Sequence, residues 1–168
     1  MSLNMTLNNE SHFRAVENLV FEWARSIDEN RVEDVCNLLA PAGRYTVISR
    51  FNQDRGLPLA IMDSRSADQL RDRIMSMRIA NVYEPQHYRH IVSGVQIVGK
   101  EANLLQLRSN YMVVRTMELT GDMKIISVGQ CQDLVDISAL STGGDPVFQE
   151  RKFVFDSRVI ETLLIIPL

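Results

Sequence analysis

The chain has 168 residues, of which 45% are hydrophobic, and this length favours a single domain over residues 1–168 with an ordinary core. Its formal net charge is −3 with interspersed signs, so the basic stripe of a nucleic-acid-binding protein is missing. No uncharged apolar run approaches the roughly twenty residues of a membrane helix, and residues 1–10 do not match a signal peptide. We therefore expect a cytoplasmic protein with no nucleic-acid or membrane partner.

The two cysteines, Cys36 and Cys131, lie far apart in the sequence, and neither has a CxxC companion. This usage is typical of a reduced compartment and argues against a zinc or iron–sulfur site. Both are predicted to be buried free thiols that pack as small hydrophobic residues.

Two helices are predicted at the start of the chain. The first begins near Ser11 and carries one apolar stripe at helical spacing, formed by Phe13, Val16, Val20, Trp23, Ala24 and Ile27. The second begins at an Asn30 cap, with an acid three residues later, and ends at Pro41. This helical hairpin needs a sheet to cover its apolar stripes.

A strand and a third helix are predicted next. Residues 44–51 are rich in strand formers, residues 52–58 contain the glycine and proline of a loop, and residues 59–62 are too few to classify. Ser66 and Gln69 match a capping box. The helix that follows has an apolar face of Leu70, Ile74 and Met77, with arginines 71, 73 and 78 pointing elsewhere.

The second half of the chain alternates with the period of strands. The runs are residues 83–99, placed at the centre with Ile91, Val95 and Ile97 inward, then 103–117, 125–137 and 149–155. Residues 99–102 and 120–122 suit hairpin loops. The inner face of the second run is predicted to hold Leu105, Leu107, Tyr111 and Val113. A change of phase across Gly129 and Cys131 indicates a bulge or bend.

These elements predict an α+β domain, in which the N-terminal helices cover one face of a strongly curved antiparallel sheet to form a cone with a pocket. The sequence also resembles the small, or beta, subunits of aromatic-ring-hydroxylating dioxygenases, the Rieske non-haem iron oxygenases. That family shares the fold of nuclear transport factor 2 (NTF2) and scytalone dehydratase. The resemblance rests on Tyr88-Arg89-His90, on Ser109-Asn110-Tyr111 with Arg115, on Phe148-Gln149-Glu150-Arg151-Lys152 with Asp156, and on Ile165-Ile166-Pro167-Leu168.

The resemblance implies a small, mainly structural subunit of a multicomponent dioxygenase in aromatic compound catabolism. Its large-subunit partner would carry the Rieske 2Fe–2S cluster and the mononuclear Fe(II), and three large subunits would assemble with a trimer of small ones. Residues 129–133 read Gly-Gln-Cys-Gln-Asp, whereas relatives usually have an aromatic and a basic residue there. This departure leaves the aromatic substrate open.

The histidine content agrees with a chain that holds no metal. His12, His87 and His90 are the only histidines, and Arg89 places a fixed cation between the last two. A Rieske centre needs paired cysteines and histidines, and a mononuclear oxygenase iron needs two histidines and a carboxylate. We therefore predict no catalytic, cofactor-binding or metal residue in this chain. Replacing His87 or His90 is expected to disturb stability or assembly and not the chemical step.

A competing hypothesis is a free-standing dehydratase or isomerase of the same fold, which uses a pocket histidine or carboxylate as a base. Its candidate residues are His90, Asp133 and Tyr111. The structural alternatives are a strand-edge Asp133 bonded to backbone donors, a core Tyr111 with one partner, and Arg89 and His90 bonded at a subunit boundary or to strand-end carbonyls. A third class is a scaffold protein with an unrelated partner.

The apolar residues 163–168 also need cover, either from a partner subunit or from the helices of the cone itself. The arginines of the third helix and the Tyr88-Arg89-His90 corner are the predicted polar rim of a subunit contact.

Overall fold

The structure is a computed structural model that describes residues 2–80, 84–160 and 167–168, excepting the side chains of residues 2–9 and 80. Its helices are α1 Ser2–Asp28, α2 Arg50–Asp54 and α3 Ala67–Ala80, with 3₁₀ helices at Val32–Asn37 and Ser138–Thr142. Its strands are β1 Leu39–Ser49, β2 Ala60–Ser64, β3 Gln86–Glu101, β4 Leu104–Met117, β5 Met123–Asp136 and β6 Val147–Phe155.

The strands form one sheet in the order β2-β1-β6-β5-β4-β3. The predicted antiparallel meander of β3, β4 and β5 is confirmed, but β1 pairs with β6 in parallel, so the sheet is mixed. Every strand pair contains a register shift, and such irregularities bend a sheet. The predicted α+β fold with a curved sheet is therefore confirmed. In the described part of the chain, no helix is long and apolar enough to cross a membrane.

α1 packs against the sheet through the predicted apolar stripe. Val16, Val20, Trp23 and Ile27 are at most 3% exposed. The helix begins at Ser2 and not near Ser11, and its first turn contains no acid. The early turns therefore lack one of the sequence signals that mark a helix start.

The prediction of a second α-helix ending at Pro41 is wrong. Val32–Asn37 is a 3₁₀ helix, and β1 begins at Leu39, so Pro41 lies inside a strand. Pro41 occupies the register shift between β1 and β6, where a missing backbone N–H breaks no regular ladder bond. Asn30 has a φ of 61° and ends α1 in the left-handed region instead of capping a new helix.

The boundaries of the next elements also differ from prediction. β1 ends at Ser49, and α2 takes residues 50–54, including the first part of the predicted loop. The hydroxyl of Ser49 accepts a hydrogen bond from the backbone N–H of Asn52 at 3.2 Å, which is an N-cap. The unclassified residues 59–62 belong largely to β2. The third helix is confirmed, because Ser66 Oγ accepts from the Gln69 N–H at 3.1 Å.

β3 lies at the edge of the sheet and not at its centre, and residue 83 lies outside the described residues. The predicted inward face is wrong for Ile91 and Ile97, which are 49% and 39% exposed. Val95 packs against the core as predicted, and so does Val92. A left-handed Gly94, with a φ of 62°, lies in a register shift that changes the phase between these two valines.

β4 and β5 build the inner wall of the cone. All four residues predicted for the inner face of β4 are buried. β5 changes phase as predicted, but its register shift lies at Ile126, ahead of Gly129. Gly129 is needed for close packing, because a Cβ there would lie 2.0 Å from the carbonyl oxygen of Val154.

Candidate functional site

A buried Asp–His pair joins the end of α1 to β3. Asp28 is the last residue of α1, and its two carboxylate oxygens accept from the backbone N–H of His90 at 3.0 and 3.1 Å. His90 Nδ1 lies 2.6 Å from Asp28 Oδ1. The side chains are 2% exposed for His90 and 8% for Asp28. The His90 ring is therefore bonded to a side chain of the same chain and not to a strand-end carbonyl.

The second ring nitrogen of His90, Nε2, is buried and has no hydrogen-bond partner among the described residues. When Nδ1–H donates to the carboxylate, a neutral imidazole presents Nε2 as an acceptor. Of the three candidate residues for a dehydratase, only His90 thus presents a basic atom, Nε2, that is not already bonded.

The neighbours of His90 on β3 face outward. Arg89 and His87 have side chains 71% and 63% exposed, and His87 Nε2 lies 3.2 Å from the carboxylate of Glu118. His12 lies on α1. Within residues 2–80, 84–160 and 167–168, no three His, Cys, Asp or Glu side chains are grouped to hold a metal ion.

Asp133 forms a buried ion pair with Arg151. Asp133 Oδ2 accepts from Arg151 Nη1 at 3.0 Å, and both side chains are 1% exposed. Burial raises the pKa of Asp133 to about 6, against the opposing effect of the Arg151 charge and the Lys152 N–H. The guanidinium carbon of Arg151 lies 4.5 to 4.9 Å from the ring centroids of Trp23, Phe148 and Phe153. Asp133 is thus held in the core, paired with a cation that sequence reasoning missed.

Tyr111 is a core aromatic residue with one polar partner. Its hydroxyl lies 2.9 Å from Ser127 Oγ, and burial raises its pKa. The three dehydratase candidates do not line one pocket. Asp133 borders a cavity of about 320 Å³, His90 borders another of about 470 Å³ beside α1, and Tyr111 lines neither.

Both cysteines are buried free thiols, as predicted. Burial raises the pKa of Cys36 and of Cys131. Both therefore stay in the thiol form, which is a weak nucleophile and a weak metal ligand.

The interior of the cone contains an aromatic cluster. Trp23 stacks on Tyr45 with ring centroids 5.3 Å apart and meets Phe148 edge-on, while Phe153 bridges Tyr45 and Tyr111. Leu168 is 1% exposed within the same core. Residues 163–166 of the apolar end lie outside the described residues, so only its last part is seen to be covered by the chain's own core.

The outer face of the sheet carries an exposed apolar patch. Ile91 pairs with Met112, and Met112 pairs with Val128, so the three cross β3, β4 and β5 side by side. Ile91 is 49% and Val128 43% exposed. Val114 and Ile125 form the adjacent pair. We call these five residues the outer apolar patch, and an apolar patch of this kind is typical of a protein–protein contact.

Two arginines predicted for a subunit rim are engaged within the chain. Arg78 of α3 donates to the Glu33 carboxylate at 2.7 Å, and Arg71 pairs with Asp68. Arg89 remains strongly exposed at the β3 corner.

The sequence contains a signal for one of the two missed partners, Arg151, but not for the other, Asp28. Arg151 alternates in phase with the buried Phe153 and Phe155, a pattern that marks a buried charge in need of a carboxylate. Asp28 has no such signal, because it lies 62 residues from His90 in the sequence.

The fold shows the structural class of the chain. Its helices pack on one curved mixed sheet, which is the NTF2-like fold that scytalone dehydratase shares. A structure from Novosphingobium aromaticivorans, described as a scytalone dehydratase, matches with a TM-score of 0.68 over 90% of this chain and 89% of that one. The two are 16% identical, which shows the fold alone.

A beta subunit from Novosphingobium aromaticivorans, described as part of an aromatic-ring-hydroxylating dioxygenase, is more similar. Its crystal structure has a TM-score of 0.84 and 27% identity, over 95% of this chain and 99% of that one. No protein-family model matches the sequence.

Two sequence relatives show the family. The anthranilate 1,2-dioxygenase small subunit of Burkholderia cepacia is 30% identical over 84% of this chain and 85% of its own length. A terephthalate 1,2-dioxygenase terminal oxygenase subunit beta 2 of Comamonas sp is 33% identical over 87% of this chain and 92% of its own. The chain belongs to the small, or beta, subunits of aromatic-ring-hydroxylating dioxygenases.

Proposed function

We propose that residues 1–168 act as one domain, the small and mainly structural subunit of a dioxygenase in aromatic compound catabolism. The large-subunit partner carries the Rieske 2Fe–2S cluster and the mononuclear Fe(II), and this chain supplies no catalytic, cofactor-binding or metal residue. The supporting observation is the use of its titratable side chains. His90 is bonded to Asp28 and Asp133 to Arg151, so both of these candidate bases are bonded within the chain.

The proposed assembly contains three large and three small subunits, with the small subunits themselves forming a trimer. The outer apolar patch supports a large-subunit contact, because leaving it in water exposes Ile91, Ile125 and Val128, and part of Met112 and Val114, on one face of the sheet. Arg89, 71% exposed beside the patch, supplies a polar rim.

Co-expression with a large subunit tests this proposal. The expected complex has the mass of three pairs, its large chain contains CxH and CxxH pairs, and iron and sulfide analysis finds the metals only when that chain is present. A stable monomer that binds no Rieske-type chain, or stoichiometric iron in the small chain alone, contradicts the proposal.

One observation favours the dehydratase or isomerase alternative, namely the buried His90 Nε2, which has no partner in the part of the chain that the structure describes. In that function, Nε2 would accept a proton from a substrate bound beside α1, while Asp28 orients the ring. Turnover of a hydroxylated substrate by the isolated wild-type chain, and its loss in His90→Ala, would support the alternative.

A further inference from the structure

Two arginines lie over one aromatic ring at the end of the sheet where β1 and β6 finish. The guanidinium carbons of Arg55 and Arg158 lie 3.8 and 4.2 Å from the ring centroid of Phe51. Arg55 also donates to the backbone carbonyl of Phe51 at 3.4 Å. Within the described residues, neither guanidinium has a carboxylate partner, whereas Arg50 lies 2.6 Å from Asp156. Stacking on a ring holds a guanidinium in place and leaves N–H groups for another partner.

The surface around this ring is exposed and positively charged. Both stacked arginines are exposed, and Asp54 is the only acid of α2. Leu57 adds an apolar side chain that is 39% exposed, and its N–H donates to the carbonyl oxygen of Asn52 at 2.9 Å. We call this surface the arginine corner, formed by Phe51, Arg55, Leu57 and Arg158.

The hairpin between β4 and β5 projects past this end of the sheet. The last described hydrogen bond from the chain after β6 to β5 joins the Asp156 N–H to the Val128 carbonyl oxygen, and β5 begins five residues earlier, at Met123. At about 3.3 Å per residue, the hairpin therefore extends roughly 17 Å further. Leu119 and Met123 are each 75% exposed at its end, so the described chain does not cover them. We call this end the hairpin tip, formed by Glu118, Leu119, Asp122 and Met123.

The hairpin tip is negatively charged. Glu118 and Asp122 are exposed, and residues 118–123 include no basic residue. Asp122 has no ion-pair partner in the part of the chain that the structure describes. The tip thus offers acids and apolar side chains, and the arginine corner offers unpaired cations and apolar surface. Surfaces of opposite charge attract each other and fix the register of a contact.

We propose that the hairpin tip of one small subunit docks on the arginine corner of a second copy of the chain. The contact rests on the small-subunit trimer of the proposed function, and it assigns the two surfaces that form that trimer. Because the two surfaces differ, each copy offers one tip and one corner, and a head-to-tail contact of this kind can close into a ring. Glu118 and Asp122 accept from Arg55 and Arg158 of the neighbouring copy, and the apolar tip packs beside Leu57.

Charge reversal and rescue test the contact. In sedimentation experiments, the isolated full-length chain should form a trimer. Arg55→Glu with Arg158→Glu should weaken this association at least tenfold, because like charges then meet. Glu118→Arg with Asp122→Arg should weaken it equally. A chain with all four changes carries reversed charges on both surfaces and should regain the trimer. If that chain does not fold, an equimolar mixture of the two double variants takes its place, because each corner then meets an oppositely charged tip.

The matched control is Arg14→Glu with Arg65→Glu. It changes the net charge by the same amount as the corner variant, at side chains that are 78% and 80% exposed elsewhere on the surface. The control should stay trimeric. A wild-type chain that remains monomeric at every concentration, a corner variant that remains trimeric, or a rescue that restores no association would overturn the proposal.

Co-purification with the large subunit separates this contact from the proposed function. If the wild-type chain binds a Rieske-type large chain while the corner variant remains trimeric, the contact is wrong and the proposed function stands. If the wild-type chain forms the trimer by this contact but binds no Rieske-type chain, the contact stands and the proposed function is wrong.

Discussion

At the scale of single residues, His87 and His90 lie three positions apart on β3 but have different surroundings. His90→Ala removes the Nδ1 contact to a buried carboxylate and leaves a void, so we expect the free energy of unfolding to fall by about 2–3 kcal/mol. His87→Ala, with a side chain 63% exposed, should change it by less than about 0.5 kcal/mol. Urea denaturation of the two variants measures both values.

Equal losses in the two variants would show that the Asp28 contact does not stabilise the fold. A thousandfold loss of turnover in an intact complex containing His90→Ala would instead favour a catalytic histidine.

Asp133 predicts a pH dependence of stability. Burial raises its pKa from 3.8 to about 6, so between these values the folded chain holds a proton that the unfolded chain releases. The stabilising contribution that protonation of Asp133 makes to the free energy of unfolding is therefore fully present below pH 3.8 and is lost as the pH rises through 6. From pH 4 to pH 7, the free energy of unfolding of the wild type should fall relative to that of Asp133→Asn. Denaturation at both pH values measures it, and an unchanged difference would contradict the assignment.

At the scale of elements, the contact between β5 and β6 depends on Gly129. A Cβ at this position would lie 2.0 Å from the Val154 carbonyl oxygen and 2.8 Å from the Phe155 Cα, both of them backbone atoms. Gly129→Ala should therefore cost about 3 kcal/mol or more, because the strands must separate. Gly56→Ala is the control: its φ is 64° with no atom within 4 Å of the added Cβ, so it should cost only about 1–2 kcal/mol. Thermal unfolding compares the two variants. Similar losses of stability would show that the close approach of Gly129 to the β6 backbone does not determine the cost.

The elements that the sequence predicts well are those whose pattern is local. β4 alternates regularly, and α1 and α3 have apolar stripes at helical spacing, so their type was evident. The strand around Pro41 was not predicted because β1 forms by pairing with β2 and with β6, and β6 lies far along the chain. The register shift beside Gly94 likewise changes which residues of β3 face inward on its two sides.

The candidate site shows the same limit. Asp133 was recognisable from its place in an alternating strand, whereas its partner Arg151 was overlooked, and Asp28 had no local signal. Hydrogen bonds between residues distant in sequence, such as that of Trp23 with Leu168, appear only once the strands are in register.

At the scale of the whole molecule, the outer apolar patch should control assembly. The double variant Ile91→Lys and Val128→Lys places two charges on exposed positions, at 49% and 43%, so the isolated chain should keep its stability within about 1 kcal/mol. Co-purification with the large subunit should be lost, because charges are depleted at interface centres. Leu59→Lys, at an equally apolar position 67% exposed near β2, should leave assembly intact. Normal assembly of the double variant would place the contact elsewhere.

The parallel pairing of β1 with β6 also sets the order in which the chain can fold during synthesis. β6 is the last strand in the described part of the chain and inserts between β1 and β5. The two halves of the sheet therefore cannot join until residues 147–155 have left the ribosome, and closing a loop of roughly a hundred residues slows folding. Until then, β1 and β5 each present an unpaired edge, so chaperone binding to a nascent chain stalled before residue 147 should exceed binding to the complete chain.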